Sequence, residues 1–196
     1  MSRDAEASDS ALACLAAGGD DRAFGLLVAR HKEPLYRLLR RYTGDADEAY
    51  EAVHEAFIAA WAALRRYDAD RPFGAWLRTI AINKARDRGR RLAFRHLFFG
   101  THGLEQMAVL RVEDPATAAD QLVMDDQLAA QVDREIQRLP SAVKEAFLLT
   151  AFEGCSHQEA GSILGVSAKT IETRAYRARK LLAVRLTDVL QGGLSQ

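Results

Sequence analysis

The stretch 156-SHQEAGSILGVSAKTIETRAYRARKLL-182 admits few folds. Ser156, with Glu159 three residues on, has the reciprocal capping pattern that opens a helix. Gly165 stands where that helix must turn sharply, and Ser167 supplies a cap for a second one. In the second helix Ile171, Ala175, Ala178 and Leu182 recur at spacings of four, three and four, which makes one buried stripe. At ~100° per residue, Lys169, Thr173, Tyr176, Arg177 and Lys180 fall roughly opposite that stripe. The small pair Ala160-Gly161 lets the two helices approach closely. Two short helices across a tight turn, with an outward face of bases, a hydroxyl and an aromatic, suit a major groove. There the first residues of the second helix reach base edges while Arg and Lys hold phosphates. An amphipathic helix in a bundle would explain the stripe alone, but not the turn, caps, small residues and basic face together.

The rest of the chain is also read as helical, because no run of alternating residues argues for a strand. Residues 10–17 and 21–42 have helical patterns separated by Gly18-Gly19, and Gly44 ends the second. Asp45 is placed to cap a third helix, with Glu48 in capping-box position. Ala49, Val53, Ala56, Phe57, Ala60, Trp61 and Leu64 give that helix a core-facing stripe, leaving Asp47, Tyr50, Glu51, His54 and Glu55 for another surface. After 67-YDADRP-72 a fourth helix starts near Phe73, with Phe73, Trp76, Leu77, Ile80 and Ala81 as its apolar positions. From Leu92 to Asp126 the signals weaken around Gly100, Gly103 and Pro115, which predicts a linker with some helical pieces. Helical patterning resumes near Gln127, Pro140 lies near the first turn of a further helix, and Gly154 closes it.

The net charge is zero, yet it is unevenly spread. Residues 71–95 hold eight basic residues against Asp87 alone, and residues 169–185 hold six against Glu172 alone. Between these blocks, 113-EDPATAADQLVMDD-126 carries five acids and no base. Two basic blocks point to two separate polyanion contacts. In the free chain the two domains that carry these blocks are expected to be held together and unable to bind DNA productively, with the acidic segment screening the blocks.

The first basic block is distinctive. In 67-YDADRPFGAWLRTIAINKARDRGRR-91 the aromatics Tyr67, Phe73 and Trp76 lie beside Asn83 and a dense run of arginines. That mixture suits unstacked single-stranded bases as well as phosphates, although Phe73 and Trp76 also read as core. Three segments resemble the bacterial sigma-70 family, specifically its extracytoplasmic-function (group IV) sigma factors. They are 45-DADEAYEAVHEAFIAAW-61, 73-FGAWLRTIAINKARDRGRR-91 and 139-LPSAVKEAFLLTAFEGCSHQEAGSILGVSAKTIETRAYRARKLL-182, in the family's order and spacing.

The resemblance implies an all-α chain of two small helical domains joined by a flexible linker. Sigma domain 2 would span 1–95, the linker 96–127, and the helix-turn-helix sigma domain 4 would span 128–196. It further implies that domain 2 binds core RNA polymerase through Val53, His54, Glu55 and Phe57. The −10 element would be captured by the loop Tyr67, Asp68, Ala69, Asp70 and Arg71, with Asn83, Arg86 and Asp87 on the adjoining helix. Lys169, Glu172, Thr173, Arg174, Tyr176, Arg177 and Lys180 would read the −35 element of promoter DNA. Members are commonly held by an anti-sigma factor, which is therefore an expected partner. This chain has His54 where the family usually has Gln and Tyr50 where it usually has Asp. Ala160-Gly161 replaces the usual Ile-Ala, which is expected to thin the packing there.

Other classes find little support. His96, His102 and the Cys155-x-His157 pair do not make a compact four-ligand metal set. No phosphate-cradling loop, nucleophile elbow or HExxH is present, so neither catalysis nor a cofactor is expected. Cys14 and Cys155 give no disulfide framework, no apolar run approaches 18 residues, and the acidic N-terminus is unlike a signal peptide. A cytoplasmic protein without membrane insertion is the expectation. The rival reading is a free-standing LuxR-type helix-turn-helix regulator, which would not need residues 45–91. A pure sequestering module would leave both basic blocks unused.

Overall fold

The computed structural model describes residues 7–99 and 120–192, and side chains over 7–95 and 129–187. Among the described residues there is no strand, and the chain forms two helical domains. The N-terminal domain holds α1 (Asp9–Ala17), α2 (Asp21–Thr43), α3 (Ala46–Ala63) and α4 (Phe73–Phe99). The C-terminal domain holds α5 (Asp120–Gln137), α6 (Ser141–Phe147), α7 (His157–Leu164) and α8 (Ala168–Gly192).

Short polar side chains start most of these helices by accepting otherwise unpaired backbone N–H groups. Asp20 Oδ1 accepts from the N–H groups of Arg22 (3.0 Å) and Ala23 (3.1 Å) to open α2. Asp45 Oδ1 accepts from Glu48 N at 2.8 Å to open α3. The expected return bond from Glu48 is not made: its carboxylate binds Arg88 Nε at 2.9 Å, and Asp45 N donates to Thr43 Oγ1 instead. Asp9 ties α1 to α2 through Arg30 (2.8 Å) and His31 (2.6 Å). Burial alone would raise the Asp9 pKa, but these two partners hold it below the usual carboxylate range.

Helix enters both ends of the segment expected as a linker with some helical pieces: α4 runs on past Leu92 to Phe99, and α5 begins at Asp120, ahead of the expected Gln127. Backbone hydrogen bonding carries both helices past the point where apolar periodicity fades. Residues 113–119 of the acidic 113–126 segment lie outside the described residues, as do the side chains of the rest, so the screening expected of it falls outside them too. Pro140 precedes α6 as its cap, its carbonyl accepting from Val143 and Lys144 at 2.9 Å. α6 then widens into a π-helical turn, Leu148–Phe152, before Gly154.

Leu27, Leu39, Val53, Phe57, Phe73, Leu77 and Ala81 anchor the first core. The second is built on Ile136, Leu149, Ile163, Ile171 and Ala178, but it also contains Leu38 of α2 and Ile82 of α4. α4 is therefore two-sided. Phe73, Leu77, Ala81 and Ala85, four residues apart, are buried in its own domain. Ala75, Arg78, Ile82 and Arg86, at spacings of three, four and four, meet α6, α7 and the turn between them.

Candidate nucleic-acid and partner interfaces

The turn between α7 and α8 follows from its residues. Ser156 Oγ accepts from Glu159 N (3.2 Å), and Glu159 Oε2 accepts from Ser156 N (2.8 Å), closing the reciprocal cap. Those bonds hold the Glu159 carboxyl below its ordinary pKa. Gly165 ends α7 at φ 70°, and Thr170 N donates to Ser167 Oγ at 3.2 Å to start α8. At Gly161 an added Cβ would lie 2.6 Å from the Val166 carbonyl oxygen. The Ala160-Gly161 pair thus does not thin the packing, since the backbone of the turn already fills the space beside Gly161. Gly161→Ala should cost about 1–3 kcal/mol through overpacking. Urea unfolding of the C-terminal domain checks this, and a neutral substitution would show that the turn can shift freely.

Ile171, Ala175, Ala178 and Leu182 of α8 are all buried. The opposite face projects Lys169, Thr173, Tyr176 (66% exposed), Arg177 and Lys180. Lys169 is paired with Glu172 at 2.9 Å, and Thr173 Oγ1 donates back to the Lys169 carbonyl at 2.9 Å. Arg174 stands apart from this set. It is half-buried on the flank of α8 and lines the cleft towards α4.

The loop before α4 is braced from within. Tyr67 Oη donates to the Arg71 carbonyl at 2.5 Å, and Asp68 Oδ1 accepts from Asp70 N at 3.0 Å. The Tyr67 ring leans on Phe73 (5.6 Å between centroids) and Trp76 (5.1 Å), leaving Asp68, Ala69, Asp70 and Arg71 exposed. Asn83 is exposed farther along α4 and accepts from Arg86 Nη1 at 3.1 Å, while Asp87 pairs with Arg90. About ten residues of helix, or ~15 Å, separate the loop end of α4 from Asn83.

Part of this surface is engaged by the C-terminal domain. Arg71 donates to Ser162 Oγ (3.3 Å), and Arg78 binds Glu153 (2.8 Å). Arg86 grips both oxygens of Glu145, at 2.7 and 2.5 Å. The acids that meet Arg78 and Arg86 thus come from α6 and the turn after it.

On α3, Val53 and Phe57 are largely buried, His54 is exposed, and Glu55 is held by Arg88 at 2.8 Å. Beside them α2 and α3 bound an apolar groove of about 420 Å³. Its walls include Phe24, Val28 and Lys32 of α2 with Tyr50, Ile58 and Trp61 of α3. Trp61, expected in the core, is 41% exposed and packs edge-on against Phe24 at 4.7 Å, because its position in the stripe lies at the rim of the α2 contact. The α2 side of the groove was not anticipated, since only helix pairing brings it to α3. Ile58, apolar yet outside the stripe, was the available signal for an exposed apolar face, which marks an interaction site.

Among the described residues no cluster of His, Cys, Asp and Glu could hold a metal, and no helix is long and apolar enough to cross a membrane. Burial pushes the Cys155 thiol pKa up, which makes it a poor nucleophile.

Residues 27–95 match Sigma-70 region 2, and residues 129–182 match Sigma-70 region 4. RNA polymerase sigma factor NccH of Alcaligenes xylosoxydans xylosoxydans is 39% identical over 183 residues, covering 93% of this chain and 95% of that one. The ECF RNA polymerase sigma-E factor of Escherichia coli is 30% identical over 179 residues, covering 88% and 91% respectively. A solved structure of CnrH in complex with the cytosolic domain of CnrY superposes with a TM-score of 0.69 at 34% identity, covering 93% of this chain and 99% of that one. The region 2 match accounts for residues 45–91, which a free-standing LuxR-type regulator would leave idle. Two helical domains carrying these two regions, in this order and over nearly the whole length of such relatives, place the chain in the sigma-70 family as an extracytoplasmic-function RNA polymerase sigma factor.

Proposed function

We propose that the chain binds core RNA polymerase through α3 and directs it to promoters by two separate DNA contacts. The exposed His54 lines the apolar α2–α3 groove with Val53 and Phe57, while Glu55 is ion-paired on the α4 side of the same helix, and this apolar surface suits a protein partner better than DNA. The braced loop 67–71 and the Asn83–Arg86 pair serve capture of an opened −10 strand, because exposed polar groups stand there beside a cluster of tilted aromatic rings. Lys169, Thr173, Tyr176, Arg177 and Lys180 read the −35 element. Arg174, turned to the cleft, reaches DNA only if the domains part. An anti-sigma factor is the remaining partner. It would take the apolar groove between α2 and α3 and so compete with polymerase for one surface.

The observation that carries this reading is the exposed basic face of α8 set against its buried stripe. Co-purification with core polymerase, followed by transcription from a promoter carrying both elements, tests it. Arg177→Ala should cost about 1–3 kcal/mol, with relaxed preference at one base position if it touches a base edge. A uniform loss with shallower salt dependence would assign it to phosphate. A promoter stripped of its −35 element and used equally well would overturn the −35 reading.

A further inference from the structure

We propose that Glu145 is a latch: its carboxylate holds Arg86 and so keeps the C-terminal domain closed over part of the −10 surface. The Glu145 side chain is 2% exposed, and its partners Arg86 and Tyr42 both belong to the N-terminal domain. Tyr42 Oη donates to Glu145 Oε1 at 3.2 Å, completing a three-member network across the cleft. The neighbouring Lys144 donates to the Tyr42 carbonyl (3.3 Å) and to Gln137 Oε1 (2.9 Å), and Gln137 donates to the Arg41 carbonyl. The open carbonyls at the end of α2 are thereby satisfied from α5 and α6.

The contrast with Arg88 is informative. Arg88 lies on the same helix but is paired inside its own domain by Glu48 and Glu55. Arg71, Arg78 and Arg86 instead meet Ser162, Glu153 and Glu145 across the cleft. A bidentate carboxylate matches the guanidinium fork as a phosphate does, so Glu145 occupies the group that would otherwise face a DNA backbone. Opening returns both charges to water, so the pair fixes the closed register without making closure irreversible. It also uncovers Leu38 and Ile82, which gives a partner that grips apolar surface a means of holding the chain open.

The competition with DNA rests on the −10 reading of Arg86, while the latch itself does not. The test uses the full chain: Glu145→Gln, Arg86→Glu, and the swap Arg86→Glu with Glu145→Arg. Small-angle scattering reports compactness, and circular dichroism reports helix content. Either single variant should raise the open-to-closed ratio about 10- to 100-fold and expand the particle, while the swap should restore compactness. A Glu145→Gln chain as compact as wild type overturns the latch. If a single variant loses helix, the swap decides: folded and compact supports the latch, and anything else overturns it. Permanganate reactivity at the −10 region, measured in holoenzyme with Arg86→Ala, separates the two ideas. Unchanged opening there with an expanded Glu145→Gln chain would retain the latch and reject the −10 role of Arg86. Lost opening with a compact Glu145→Gln chain would do the reverse.

Discussion

Phe73→Ala should cost the N-terminal domain about 3–5 kcal/mol, a large share of what keeps a small domain folded. Phe73 is 1% exposed, and three rings lean on it: His31 at 5.3 Å, Tyr67 at 5.6 Å and Trp76 at 5.6 Å. The void left by the truncation has stiff neighbours, so little of it can collapse. Tyr67 would lose the surface that fixes its ring, and with it the hydroxyl that braces the loop at the Arg71 carbonyl. Urea unfolding measures the stability loss, and promoter opening under conditions where the variant is still folded measures the loosened loop. A loss under about 1 kcal/mol would mean that the ring cluster repacks. Phe73→Leu, which keeps most of the volume, should cost much less.

Ile171→Ala should remove about 2–5 kcal/mol from the C-terminal domain. Ile171 is fully buried at the start of α8, so its loss unseats the helix whose outer face carries Tyr176, Arg177 and Lys180. The expected phenotype is selective: −35-dependent transcription is lost while association with core polymerase through α3 survives. Limited proteolysis should release a resistant N-terminal fragment at temperatures where wild type is intact. If the whole chain instead unfolds in one step, the two cores are a single cooperative unit bound through Leu38 and Ile82.

Much of this was legible in the sequence, for reasons that are local. The caps at Ser156 and Ser167, the stop at Gly165 and the α8 stripe depend on residues within a few positions of one another, so spacing alone reveals them. The second stripe of α4 was not legible. A helix buried on two faces loses the contrast that periodicity measures, and Arg78 and Arg86 read as part of a polyanion-contacting block until Glu153 and Glu145 face them. Trp61 misled because an aromatic within an apolar stripe has the same spacing whether it fills a core or rims a groove. Glu48 had the sequence of a reciprocal cap, but a guanidinium forty residues away offered it a stronger bond.

The two-sided α4 makes chain length a stricter requirement than residue identity over one short segment. Inserting or deleting a single residue between Leu77 and Ala81 turns everything beyond it by ~100°. Ala81 and Ala85 then leave the N-terminal core in the same step that Ile82 and Arg86 leave the C-terminal one. Neither side can compensate, because rotating the helix to rescue one stripe displaces the other. Beyond Arg91 the helix has no buried stripe among its described side chains, and the same insertion there displaces only exposed or half-buried positions. Tolerance to insertion therefore changes sharply within one continuous helix, with the boundary set by which turns are buried against two domains at once and which are not.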